Sequence, residues 1–189
     1  MAISKSDEDL PKLVKLTSNQ VIYGYSLCLA LVFMVAAGGA IAREADEKLL
    51  PEMEEVESLL QGPKPAGLVF HIYEQDEEAL EWVLPRVEGH VRLIRSQWPG
   101  FAIVVVSHGA EMLALSKATE NQYPRTHEMA NRLANSMDVP IQICGAYAAN
   151  VGLDGSDFPS YVDVVPSGPS QIADYLELGF NKIDLELIW

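Results

Sequence analysis

Cysteine is scarce in this chain: only Cys28 and Cys144 occur in 189 residues, which excludes a disulfide scaffold and any cysteine-rich zinc site built from this chain alone. Basic residues are thin as well. Thirteen Lys and Arg stand against 27 Asp and Glu, and the net charge of -14 repels phosphate backbones and anionic headgroups, so no nucleic-acid partner is expected. No glycine-rich phosphate loop is present, since Gly145 and Gly152 lack the required spacing. His71, His90 and His127 fit no metal-ligand pattern either, so neither a cofactor nor a metal is expected. There is no internal repeat and no low-complexity segment. What remains is a chain 49% hydrophobic, enough for one packed core and one globular domain at this length.

Charge is absent from residue 16 to residue 42, and residues 21–42 (VIYGYSLCLALVFMVAAGGAIA) are almost wholly apolar. About 20 such residues span a bilayer as a helix. Two readings fit. One is an uncleaved transmembrane helix, favoured by the length of the run and by the acidic residues Asp7, Glu8 and Asp9 ahead of it; the other is a signal peptide cut after Ala40-Ile41-Ala42. Lys5, Lys12 and Lys15 precede the run and Arg43-Glu44-Ala45-Asp46-Glu47 follows it, which places residues 1–20 in the cytoplasm and the rest on the exported, periplasmic side. Cys28 falls within the apolar run and is read as an inert filler.

Residues 43–65 read as an acidic helical linker ended by Gln61-Gly62-Pro63-Lys64-Pro65. Its apolar stripe, Leu49, Met53, Val56 and Leu60, is too short for a free coiled coil and is expected to dock on the domain rather than pair with a second subunit. Residues 66–189 then alternate. Strands are expected at 67–73 (GLVFHIY), 101–107 (FAIVVVS), 139–144 (VPIQIC), 161–165 (YVDVV) and 183–188 (IDLELI), with helices at 76–97, 127–137 and 169–178. Pro85 is expected to kink or split the first of these helices. Residues 110–126 read as a loop, and residues 146–153 as a short helix or turn. Such alternation predicts an α/β fold with a largely parallel sheet covered on both faces.

Ligand sites in such sheets lie at the carboxyl ends of the strands. Three sequence features fall there: Ser107-His108-Gly109, Cys144-Gly145 and Pro166-Ser167-Gly168. A cysteine ending a strand just before a helix meets unpaired backbone N–H groups that favour a thiolate, and the turn at Ser167-Gly168 offers further donors for an anion. Against this, a single Cys after an apolar strand also reads as a buried small hydrophobe, and a strand-end His as a structural residue.

The order Val104-Val105-Val106-Ser107-His108-Gly109, then Val139-Pro140-Ile141-Gln142-Ile143-Cys144-Gly145, resembles the DsrE/DsrF-like (DsrEFH-like) family of sulfur-relay proteins. So does the tail, Tyr161-Val162-Asp163-Val164-Val165-Pro166-Ser167-Gly168 followed by Leu178-Gly179-Phe180. The similarity covers residues 67–189. It implies a three-layer sandwich with a five-stranded, mainly parallel sheet, here preceded by one transmembrane helix, and assembly as a homo-oligomer or within a membrane complex. It also implies sulfane sulfur carried as a persulfide on Cys144; on the strand-end reading above, His108 would be its proton partner and the backbone at Gly145, Ser167 and Gly168 would hold the anion. Sulfur donor and acceptor proteins or small sulfur compounds would be the partners. Familiar relay members are soluble and cytoplasmic, and this chain differs from them in its apolar leader and in the loop 111–125. The alternative function is a non-catalytic accessory or assembly subunit of a membrane complex, with Cys144 simply buried.

Overall fold

The computed structural model describes residues 51–187, so the expectations for residues 1–20, for a transmembrane helix or signal peptide at 21–42 and for the first part of the linker lie outside the described residues. Among the described residues no helix is long and apolar enough to cross a membrane.

Eleven of the linker residues form helix α1, Pro51–Gln61. It packs with Val56 and Leu59 buried, one position away from the expected stripe at its end, because Leu59 rather than Leu60 faces the domain. Strand β1, Gly67–Ile72, and strand β2, Ile103–Ser107, are apolar runs covered on both sides, joined by α2, Ala79–Gln97. Pro85 does not split α2 as expected. It sits in the second helical turn, so the hydrogen bond it removes belongs to the Glu81 carbonyl near the helix start. Glu81 and Pro85 border a cavity of about 190 Å³ there, which leaves room for water.

After β2 the segment read as a loop winds into tight turns at Ala110–Leu115 and Lys117–Thr119, and α3 begins at Pro124, three residues before the expected start. Proline at the first turn of a helix gives up no bond. Helix α3, Pro124–Asn131, continues as a wider π turn, Arg132–Ser136, and ends at Asp138 with φ +51°, a conformation that Asp tolerates. Strand β3, Ile141–Cys144, leads into the short helix α4, Gly145–Asn150; strand β4, Val162–Val165, leads into α5, Gly168–Glu177. Strand β5 is Phe180–Leu185, three residues earlier than the sequence pattern predicts. Gly179, at φ +84°, makes the turn that starts it.

The sheet has five strands in the order β4-β3-β2-β1-β5, and every pairing is parallel. Helices α1 to α4 and the turns after β2 contribute to one large core against Leu68, Phe70, Ile103, Val105, Ile141, Ile143 and Ile183. Helix α5 covers the other face, where Ile172 meets Val69, Val104 and Val106. This is what right-handed crossovers require. The first three connections wind one way along the sheet, and the fourth returns past β1 to reach β5, so its helix must lie on the opposite face. The loops leaving β3 and β4 therefore part to opposite faces, and a crevice belongs at that point of the sheet's carboxyl edge.

Candidate functional site

That point is occupied by Cys144-Gly145 and Pro166-Ser167-Gly168. Cys144 is in register with Val165, the last pair of the β3–β4 ladder. Gly145 follows in close contact: a Cβ on it would lie 2.9 Å from the Val165 carbonyl oxygen, so this glycine serves the approach of the two loops. The Ala146 N–H donates to the Pro166 carbonyl at 3.1 Å and pins the loops together. Ser167 caps α5, its hydroxyl accepting from the Ser170 N–H. Cys144 is a free thiol, only 5% exposed, and joins the aliphatic core. Helix α4, which it precedes, has six residues, and so short a helix adds little field to the strand end.

His108 enters from the neighbouring strand. Ser107 of β2 is in register with Ile143 of β3, so His108 and Cys144 are the next positions along two adjacent strands. His108 packs against Gly168, where a Cβ would lie 2.7 Å from its own Cβ, and against the ring of Tyr73, with centroids 4.7 Å apart. The structure thus brings His108 against Gly168, with Ser167 in the loop after β4 and Cys144 at the last position of β3. It turns the imidazole of His108 toward His71 rather than toward the thiol, with 2.7 Å between the two Nε2 atoms.

His71 is the residue sequence reading passed over. It stands in register with Asp184 across the β1–β5 pair, and its Nδ1 hydrogen-bonds the Asp184 carboxylate. Lys182 holds the same carboxylate at 2.7 Å from both oxygens. Asp184, His71 and His108 therefore form a line across three adjacent strands. The rings of His71 and His108 are near-parallel, with planes 15° apart, and approach through their Nε2 edges. Among the described residues no three such side chains are grouped to hold a metal ion. Burial, and repulsion from the neighbouring His71 ring when that ring carries a proton, push the His108 pKa below its ordinary value. For Asp184, burial opposes ionisation, and the hydrogen bonds from Lys182 and His71 outweigh it and lower the pKa. No local signal links residues 71 and 184; only the register of the folded sheet joins them.

The turn presenting His108 has its own support. Glu111, fully buried, accepts from Ser107 Oγ at 2.7 Å, from the Gly109 N–H at 3.0 Å and from the Glu74 N–H at 2.8 Å. The other two histidines are structural. His90 packs on Phe70 near Glu52, and His127 bonds the Tyr161 hydroxyl through Nδ1 at 2.7 Å.

No family model matches the chain, and no curated protein matches it. Among solved structures it is similar to MTH1491, a protein of unknown function from Methanobacterium thermoautotrophicum, at 25% identity and a TM-score of 0.50, covering 62% of this chain and 97% of that one. The domain has a DsrE-like fold. E. coli YchN aligns with this DsrE-like domain at 10% identity and a TM-score of 0.45, over 63% of this chain and 98% of its own.

Proposed function

We propose that this DsrE-like domain handles reduced sulfur, with Cys144 accepting sulfane sulfur as a persulfide and His108 as its proton partner. The observation that supports this is that Cys144 and His108 occupy the next positions along two adjacent parallel strands, at the sheet edge where the chain after β3 and the chain after β4 turn to opposite faces. The thiol proton passes to His108 as Sγ attacks the outer sulfur of a persulfide, polysulfide or thiosulfate donor. A new S–S bond forms, the donor's own S–S bond breaks, and its electron pair leaves with the rest of the donor as thiolate or sulfite. No cofactor takes part in this step.

At 5% exposure the thiol is reached only when the loops after β3 and β4 open. The same burial favours a second reading, an accessory or assembly subunit in which Cys144 only fills space. Intact mass of the full chain carrying Cys28→Ser, measured after incubation with polysulfide, separates the two. The first reading expects added sulfur that vanishes in Cys144→Ser. No uptake, or equal uptake in both proteins, leaves the accessory subunit. Export and a tether through residues 21–42 belong to the proposal on the strength of the apolar run alone, and carbonate extraction of membranes tests them.

A further inference from the structure

We infer that Asp184, His71 and His108 form a proton relay across strands β5, β1 and β2, which takes up a proton at Nδ1 of His108 and holds the resulting charge on His71 against Asp184. The tautomers follow from the contacts. Asp184 as a carboxylate is acceptor only, so His71 carries its proton on Nδ1 and donates to it. The Nε2 of neutral His71 is then an acceptor, and at 2.7 Å its one donor is the Nε2–H of His108. That leaves Nδ1 of His108 as the unprotonated, basic nitrogen of the line.

When Nδ1 of His108 gains a proton, its Nε2–H can cross to His71. His108 is then neutral, and the positive charge lies on His71 next to Asp184. Each bond made is matched by one broken, and no other reactant is needed. The charged and titratable groups around this line are Glu55 on α1, which faces both Asp184 and Lys182, Tyr73 and Glu74 following β1, Lys182 and Asp184 on β5, Glu111 under the turn after β2, and Cys144 at the end of β3. Lys182 opposes the relay by holding the same carboxylate. His71 and Asp184 act through His108 and are positioning residues. As the source of the base in sulfur transfer the relay rests on the reading of Cys144 above; as a route for a proton it does not.

NMR of the full chain, with the imidazole nitrogens of its four histidines isotope-labelled and assigned by single His→Gln variants, tests the relay without any sulfur compound. The expected result is an Nδ1–H tautomer for His71 and an Nε2–H tautomer for His108 at neutral pH. Asp184→Asn should lower the titration midpoint of the pair by about one pH unit, since an opposite charge at contact distance has been removed. Asp184→Glu should restore it, and Lys182→Met should move it upward. A His108 protonated on Nδ1 in the neutral protein, or a midpoint unchanged in Asp184→Asn, overturns the relay. Should Asp184→Asn fail to fold, Lys182→Met decides: a midpoint that stays or falls overturns the relay too. A protein that takes up sulfur on Cys144 with no such coupling loses only the relay; coupling without sulfur uptake loses only the sulfur reading.

Discussion

Glu111 shows how one buried side chain can fix the position of another. Its carboxylate collects the Ser107 hydroxyl and two backbone N–H groups, and the turn after β2 closes around it. Gly109 is bare because a Cβ there would lie 2.2 Å from the Glu74 carbonyl oxygen. Gly109→Ala should therefore destabilise the fold by about 3 kcal/mol in urea unfolding, an overpacking penalty against backbone that cannot move aside. Burial raises the Glu111 pKa from its ordinary 4.5, against the pull of the Ser107, Gly109 and Glu74 hydrogen bonds. The folded chain thus holds this proton more tightly than the unfolded chain. The stability it contributes is complete below about pH 4.5 and is lost as pH rises through the folded value. Glu111→Gln should remove that slope, and should cost about 1–3 kcal/mol because an amide cannot accept at both ends. Urea melts from pH 4 to 8 of both proteins check the slope and the offset together. None of this was legible in the sequence, where Glu111 is one acid among 27 and begins a stretch that reads as loop.

Helix α1 is joined to the domain by charge as well as by its apolar residues. Glu52 is 2% exposed and binds Arg86 of α2, with Nε at 2.6 Å. Burial resists ionisation of Glu52, and hydrogen bonds from His90 and Arg86 overcome it, so its pKa lies below the ordinary value. Arg86 also donates to the Glu186 carbonyl just after β5, so one guanidinium ties α2 to both neighbouring segments. Glu52→Ala leaves that half-buried cation without its counter-charge and should cost about 3 kcal/mol, with faster amide exchange in α1 than elsewhere. Apolar periodicity located the helices and the inner strands because their side chains face apolar neighbours. It placed β5 three residues late because Asn181 and Lys182 on this edge strand are exposed and polar, so the apolar run begins only at Ile183. Of the kink or split expected at Pro85, the split does not occur, because the bond lost is at a helix start that borders an open cavity.

The molecule as a whole is strongly acidic, at -14, while its close ion pairs are local and partly buried. Self-repulsion among the surplus carboxylates is long-ranged and screened by salt, whereas a buried pair such as Glu52–Arg86 is screened much less. Thermal stability of the full chain at neutral pH should therefore rise as sodium chloride is raised from about 0.01 M to about 0.5 M, a trend that differential scanning fluorimetry reads directly. Class and sheet direction were legible at this level, since strand and helix patterns alternate along the chain. Strand order was not, because the return of β5 beside β1 leaves no mark in local periodicity, and with it the meeting of residues 71, 108 and 184 stayed hidden. The same return brings α5 against the end of β2, where Gly168 touches His108. A methyl group added at that seam would act as a wedge, prising the imidazole from its partner while leaving every acid and base in the chain unaltered.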